Sequence, residues 1–98
     1  MDNTQQQIAY QKLNDLRVSI RREFAHRSWT NPTEFQTWSD LNVMLNNCDR
    51  LYDDLDRTSV ECRRIGRPTI AFKEAYQRLD ESMTLLEQFV MTAILMRG

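Results

Sequence analysis

The chain is 98 residues long, with 41% apolar residues, 28% charged residues and a formal net charge of −1. That composition excludes a disordered chain, and the charge balance leaves no global field to draw it to nucleic acid or an anionic membrane. One domain is expected at this length, with an efficient core, because a short chain buries only part of its surface on folding.

Glycine and proline are scarce: Gly66 is the only internal glycine, and Pro32 and Pro68 are the only prolines. Sheet proteins need many turns, so the expected fold class is all-α. The first helix is expected from about Thr4 to Arg27. Ala9, Leu13, Leu16, Ile20 and Phe24 recur there at helical spacing. Arg17, Arg21, Arg22 and Arg27 crowd its C-terminal half, where cations suit the helix dipole. Ser28-Trp29-Thr30 is the first connection. Asn31-Pro32-Thr33-Glu34 then supplies a capping side chain, a proline at the first helical position and an acid at the capping-box position.

The second helix is expected from Pro32 to about Ile65. Trp38, Leu41, Leu45, Cys48, Tyr52, Leu55, Ser59 and Cys62 alternate steps of three and four, as in a coiled-coil seam. A helix of that length is about 50 Å long, so a kink is one expectation. Ser59 and Thr58 read as a weak point in the seam. Asp53, Arg57 and Glu61 read as an i, i+4 ladder on the outer face. Gly66 suits a left-handed helix end, and Pro68 stops the helix. Thr69 can cap the third helix, expected from about Ile70 to Met96, with Phe72, Tyr76, Leu79, Met83, Leu86, Val90 and Ala93 as its stripe. The expected architecture is an elongated antiparallel three-helix bundle. Helices two and three form a long hairpin in a single domain over residues 1–98.

Catalytic chemistry is poorly represented. His26 is the one histidine and has no orienting partner in the sequence pattern. Cys48 and Cys62 lie 14 residues apart on one helix, about 21 Å at helical rise, so they cannot bridge each other. Their spacing does not suit zinc, and both read as reduced core residues of a cytoplasmic protein. No glycine-rich phosphate loop is present. Asp49, Asp53, Asp54 and Asp56 lack the pattern of a calcium loop and read as a solvated face. The expectation is therefore no enzyme, no metal and no cofactor. The polar start and the shortness of every apolar run give no signal peptide and no membrane span.

Binding chemistry is better represented. Arginine outnumbers lysine eleven to two, and Arg favours interfaces. Leu85, Leu86, Phe89, Val90, Met91, Ala93, Ile94, Leu95 and Met96 cover more than one helix face. Either helix one packs across the surplus, or Phe89, Met91 and Leu95 face a partner or a second copy. Trp29, Arg63 and Arg64 join them as candidate partner-binding residues. Arg17, Arg21, Arg22, Arg27, Arg63, Arg64 and Arg67, with Trp29 for stacking, would suit nucleic acid if they converged. The Gly66-Arg67-Pro68-Thr69 connection carries an X-Pro bond that isomerises slowly. It reads either as an ordinary helix stop or as a loop recognised by a host peptidyl-prolyl isomerase.

Met1-Asp2-Asn3-Thr4-Gln5-Gln6-Gln7-Ile8-Ala9-Tyr10, Asn31-Pro32-Thr33-Glu34-Phe35-Gln36-Thr37-Trp38 and Ile65-Gly66-Arg67-Pro68-Thr69-Ile70 resemble the small anti-RecBCD proteins of Salmonella-type lambdoid phages. The resemblance covers the full chain and rests on overall sequence, since that family has no catalytic signature. It implies a noncatalytic phage factor in the host cytoplasm. Such a factor binds the RecBCD helicase-nuclease through its RecC subunit and redirects Chi-dependent processing of DNA ends toward phage recombination. An isomerase partner, if any, would be of cyclophilin type. The rival expectations are a DNA-end-binding protein and a self-assembling helical structural protein.

Overall fold

The computed structural model describes residues 4–26 and 30–96. Among them are three helices and no strand: α1 (Thr4–His26), α2 (Pro32–Ile65) and α3 (Ile70–Leu95). They form an antiparallel bundle 53 Å long and 17 × 16 Å in section. The expected boundaries agree to within one residue at α1 and α3 and coincide at α2, which runs through as one helix.

The two breaks follow from local chemistry. The Asn31 side chain accepts hydrogen bonds from the Thr33 and Glu34 amides at 3.0 and 3.3 Å, and Pro32 occupies the first helical position. Both devices satisfy or remove donors that a helix start leaves without partners. At the far end Gly66 adopts φ 82°, ψ 17°, a left-handed conformation that costs a residue with Cβ about 1–2 kcal/mol. The Gly66 and Arg67 amides both donate to the Cys62 carbonyl, at 2.8 and 3.2 Å, closing the last turn of α2. Two residues on, the Thr69 hydroxyl accepts from the Phe72 amide at 3.1 Å and starts α3. Its Oγ1 also lies 3.5 Å from Cys62 Sγ, so the cap of one helix touches the end of the other.

Each helix buries one stripe. Ala9, Leu13, Leu16 and Ile20 of α1 meet Trp38, Leu41, Leu45, Cys48, Leu55 and Cys62 of α2 and Phe72, Ala75, Leu79, Met83, Leu86 and Val90 of α3. Burying each large aliphatic side chain contributes about 1.5–3 kcal/mol. The α2–α3 contact is the most extensive of the three. Polar contacts fix the register of α1: Gln6 to Asp56 at 2.7 Å, Arg17 to Asp49, and Lys12 to Glu87 at 3.9 Å. They set α1 antiparallel to α2 and parallel to α3.

Three expectations change on contact with the fold. Ser59 is no weak point: it is fully buried, and its hydroxyl donates to the Asp56 carbonyl at 2.9 Å. The Asp53–Arg57–Glu61 ladder does not form as read; Arg57 pairs with Asp54 and Glu61 with Arg64, each one turn apart on α2. Ala75, outside the expected stripe, is buried, while Tyr52, Tyr76, Phe24 and Ala93 are only partly so.

Two stability predictions follow from these positions. Gly66 has open space where a Cβ would go, so Gly66→Ala should cost about 1 kcal/mol from backbone strain alone, read as a shift in urea midpoint. Ser59→Leu should cost about 1–3 kcal/mol by overpacking, whereas Ser59→Ala should be near neutral. Equal tolerance of Leu and Ala would show that the seam is loose.

Candidate interaction surface

Polar groups on the described residues are mostly committed to neighbours or solvent. Asp49 is bridged by Arg17 across two helices, Asp54 takes Arg57, and Asp56 accepts from Gln6. Among the described residues no cluster of His, Cys, Asp or Glu could hold a metal ion. Cys48 is buried, and burial, with the Asp49 carboxylate beside it, pushes its thiol up to about 11. It therefore stays a protonated, weakly nucleophilic thiol at neutral pH. Cys62 is fully buried at the hairpin seam.

What remains is surface left over after the stripes are filled, and it concentrates at the two ends of the bundle. At the end shared by the start of α2 and the finish of α3, α1 does not cover the apolar surplus. Phe89 is 46% exposed, Met91 56% and Leu95 79%. Leu85, Ile94 and Met96 are exposed beside them. From residue 82 to residue 96 the chain carries a single charge, Glu87. Depletion of charge around exposed apolar groups is the compositional mark of an interface core. On the side between α2 and α3 this surface dips into a groove of about 310 Å³ lined by Thr37, Asp40, Leu41, Met44, Phe89, Thr92, Ala93 and Met96, so one carboxylate borders it. A second depression of about 380 Å³ adjoins it and shares Thr37, Ala93 and Met96. Met44 and the groove were not legible in the sequence, because its walls come from two helices far apart in the chain. Among the described residues no helix is long and apolar enough to cross a membrane.

At the opposite end lies the α2–α3 turn. Gly66, Arg67 and Pro68 are exposed there, and Thr69 is half-buried through its capping role. No peptide bond among the described residues is cis, so Arg67–Pro68 is trans. Arg63 and Arg64 stand on the last turn of α2. A hydrogen bond and the charge of Glu61 raise the Arg64 guanidinium's pKa, and the same hydrogen bond first of all lowers that of Glu61. Arg63 also borders a groove with Gln6, Gln7, Tyr10, Gln11 and Tyr52, where the two tyrosine rings sit 5.7 Å apart at a tilt.

The expected site residues thus fall into two separated sets. Phe89, Met91 and Leu95 mark one end, while Arg63, Arg64 and the Gly66–Thr69 loop mark the other. Trp29 and Arg27 lie outside the described residues. The arginines considered as a nucleic-acid surface do not converge: Arg17, Arg21 and Arg22 belong to the half of α1 nearer the apolar end, and Arg63, Arg64 and Arg67 crown the hairpin. Antiparallel packing imposes that separation.

No family model, curated protein or solved structure matches the chain.

Thiol chemistry checks the burial directly. Native protein should give almost no rapid reaction with an Ellman-type reagent, and denatured protein should release both cysteines. Fast native labelling of either cysteine would mean that the seam opens readily.

Proposed function

We propose that this chain is a noncatalytic protein ligand of the host RecBCD helicase-nuclease. It docks on the RecC subunit and redirects Chi-dependent processing of DNA ends in favour of phage recombination. The target comes from the full-length resemblance to small anti-RecBCD proteins of lambdoid phages. The mode of action rests on the residues. A single observation carries it: the last four turns of α3 leave Phe89, Met91 and Leu95 in solvent on a helix segment whose only charge is Glu87. Such surface is costly to leave wet and suits a partner that supplies an apolar counterpart.

In this reading the rigid bundle changes its target by occupying or deforming a control surface, and no bond is broken by this chain. Large apolar anchors at the centre of an interface typically lose about 2 kcal/mol or more on truncation, while rim residues lose little. The Gly66-Arg67-Pro68-Thr69 loop is a separate docking element in the proposal, presented at the far end of the bundle to a host peptidyl-prolyl isomerase of cyclophilin type. The helix-stop role of Pro68 and its recognition by an isomerase are compatible, since the first is local and the second uses the exposed face.

Immobilised protein incubated with purified RecBCD should retain the enzyme and shift its Chi response. A Phe89→Asp, Leu95→Asp double variant should lose at least about tenfold in affinity with its helicity unchanged by circular dichroism. Failure to retain RecBCD would remove the assignment. Retention unaffected by the double variant would move the docking face elsewhere. Pro68→Ala should leave helix content intact and reduce isomerase binding; unchanged binding would reduce Pro68 to a helix stop.

A further inference from the structure

We infer that the hairpin tip is a docking end for an acidic protein surface with an apolar centre, and that its rim of cations and exposed isoleucines selects this partner. The inference rests on the reading of the chain as a protein ligand but does not require RecBCD to be the target.

Charge is unevenly spread along the rod. Residues 57–76 hold Arg57, Arg63, Arg64, Arg67 and Lys73 against Glu61 and Glu74, a net +3, so the rest of this −1 chain carries −4. Arg57 and Arg64 are paired with Asp54 and Glu61. Arg63, Arg67 and Lys73 are exposed, and among the described residues their side chains meet no carboxylate. Gly66 and Pro68 turn the chain so that Arg67 stands at the apex between the other two.

The placement works against the isolated fold. Lys73 lies in the first turn of α3, which contains no acid. A helix N-terminus bears partial positive charge, so a cation there is unfavourable and an acid is the stabilising choice. Local choices that oppose stability point to function when a compensating gain lies elsewhere. A partner carboxylate supplies that gain, meeting the unpaired guanidinium groups in bidentate geometry and the helix end together.

The aliphatic groups decide the class of partner. Ile70, at the first position of α3, is 76% exposed, and Ile65 and Val60 are exposed on the facing end of α2. Along the chain these residues are interspersed with Arg63, Arg64, Arg67 and Lys73. A phosphate backbone offers nothing to an isoleucine, and the −4 borne by the rest of the rod opposes a polyanion as long as DNA. A protein surface that places carboxylates around an apolar patch uses both features at once.

The test is fluorescence anisotropy of the full chain with a short labelled peptide alternating Glu with Leu and Phe. Its Glu→Gln counterpart and a single-stranded oligonucleotide of equal charge serve as comparisons. The Glu peptide should bind, and weaken as ionic strength rises. The Gln peptide, the Arg63→Ala, Arg67→Ala, Lys73→Ala triple variant, and the Ile65→Ser, Ile70→Ser double variant should each bind about tenfold more weakly or less. Amide NMR shifts should centre on residues 60–73. All five substitutions are on exposed positions, and circular dichroism checks that the fold persists. Tighter binding of the oligonucleotide, undiminished binding by the triple variant, or low-salt self-association through the tip would each overturn the inference. None of these readouts involves RecBCD, so failure here and failure of the RecBCD assignment are separable.

Discussion

Three helices packed side by side can each bury about one stripe, and in this chain that limit decides what every other residue is for. The stripes are filled by side chains spaced at threes and fours, from Ala9 to Ile20, Trp38 to Cys62 and Phe72 to Val90. Residues turned away from the common axis must be solvated or covered by something else. In the middle of the rod they are solvated: Asp53, Arg50 and Asp80 face water, and Arg17–Asp49 ties two helices together. At the ends they are not the residues that water favours. One end exposes an apolar stretch of α3 whose only charge is Glu87. The other mixes guanidinium groups with isoleucines.

The hairpin is the scaffold on which both ends are held. Its buried seam holds small side chains at Ser59, Cys62 and Ala75 nearer the turn and large ones at Trp38, Leu45 and Leu86 farther from it. The Gly66 and Arg67 amides close the end of α2 on the Cys62 carbonyl at 2.8 and 3.2 Å, and the Thr69 hydroxyl accepts from the Phe72 amide at 3.1 Å. By comparison α1 is held by four buried side chains and a few polar contacts. Local opening is easiest where apolar contacts are fewest, and among the three helices α1 buries the fewest side chains.

Much of this was legible because the signals are local. Asn31-Pro32 and Gly66-Arg67-Pro68-Thr69 specify helix ends by backbone chemistry that needs no tertiary context, and the α2 limits coincide with them. Seam positions were legible for the same reason, since periodicity is a property of one helix. What depends on pairs of helices was not. Ser59 looked like a defect in a stripe, and only its complete burial and its hydroxyl's bond to the Asp56 carbonyl show that it belongs there. The fate of Phe89, Met91 and Leu95 turned on whether α1 reached them, which spacing within α3 cannot reveal. The arginines formed one list in the sequence and lie at two ends of the rod in space. The proposed target rests on the resemblance alone, because a protein ligand has no motif that chemistry imposes.

On the proposed reading, function lives in surface rather than in a pocket. Phe89, Met91, Leu95 and the cationic turn are the exposed groups that it uses. Hydrogen–deuterium exchange of the chain, alone and bound to RecBCD, measures this most directly. Binding should slow exchange in residues 85–96, with the central belt of residues 46–56 unchanged. Protection confined to that central belt, with both ends exchanging as in the free protein, would contradict the assignment of function to the leftover end surfaces.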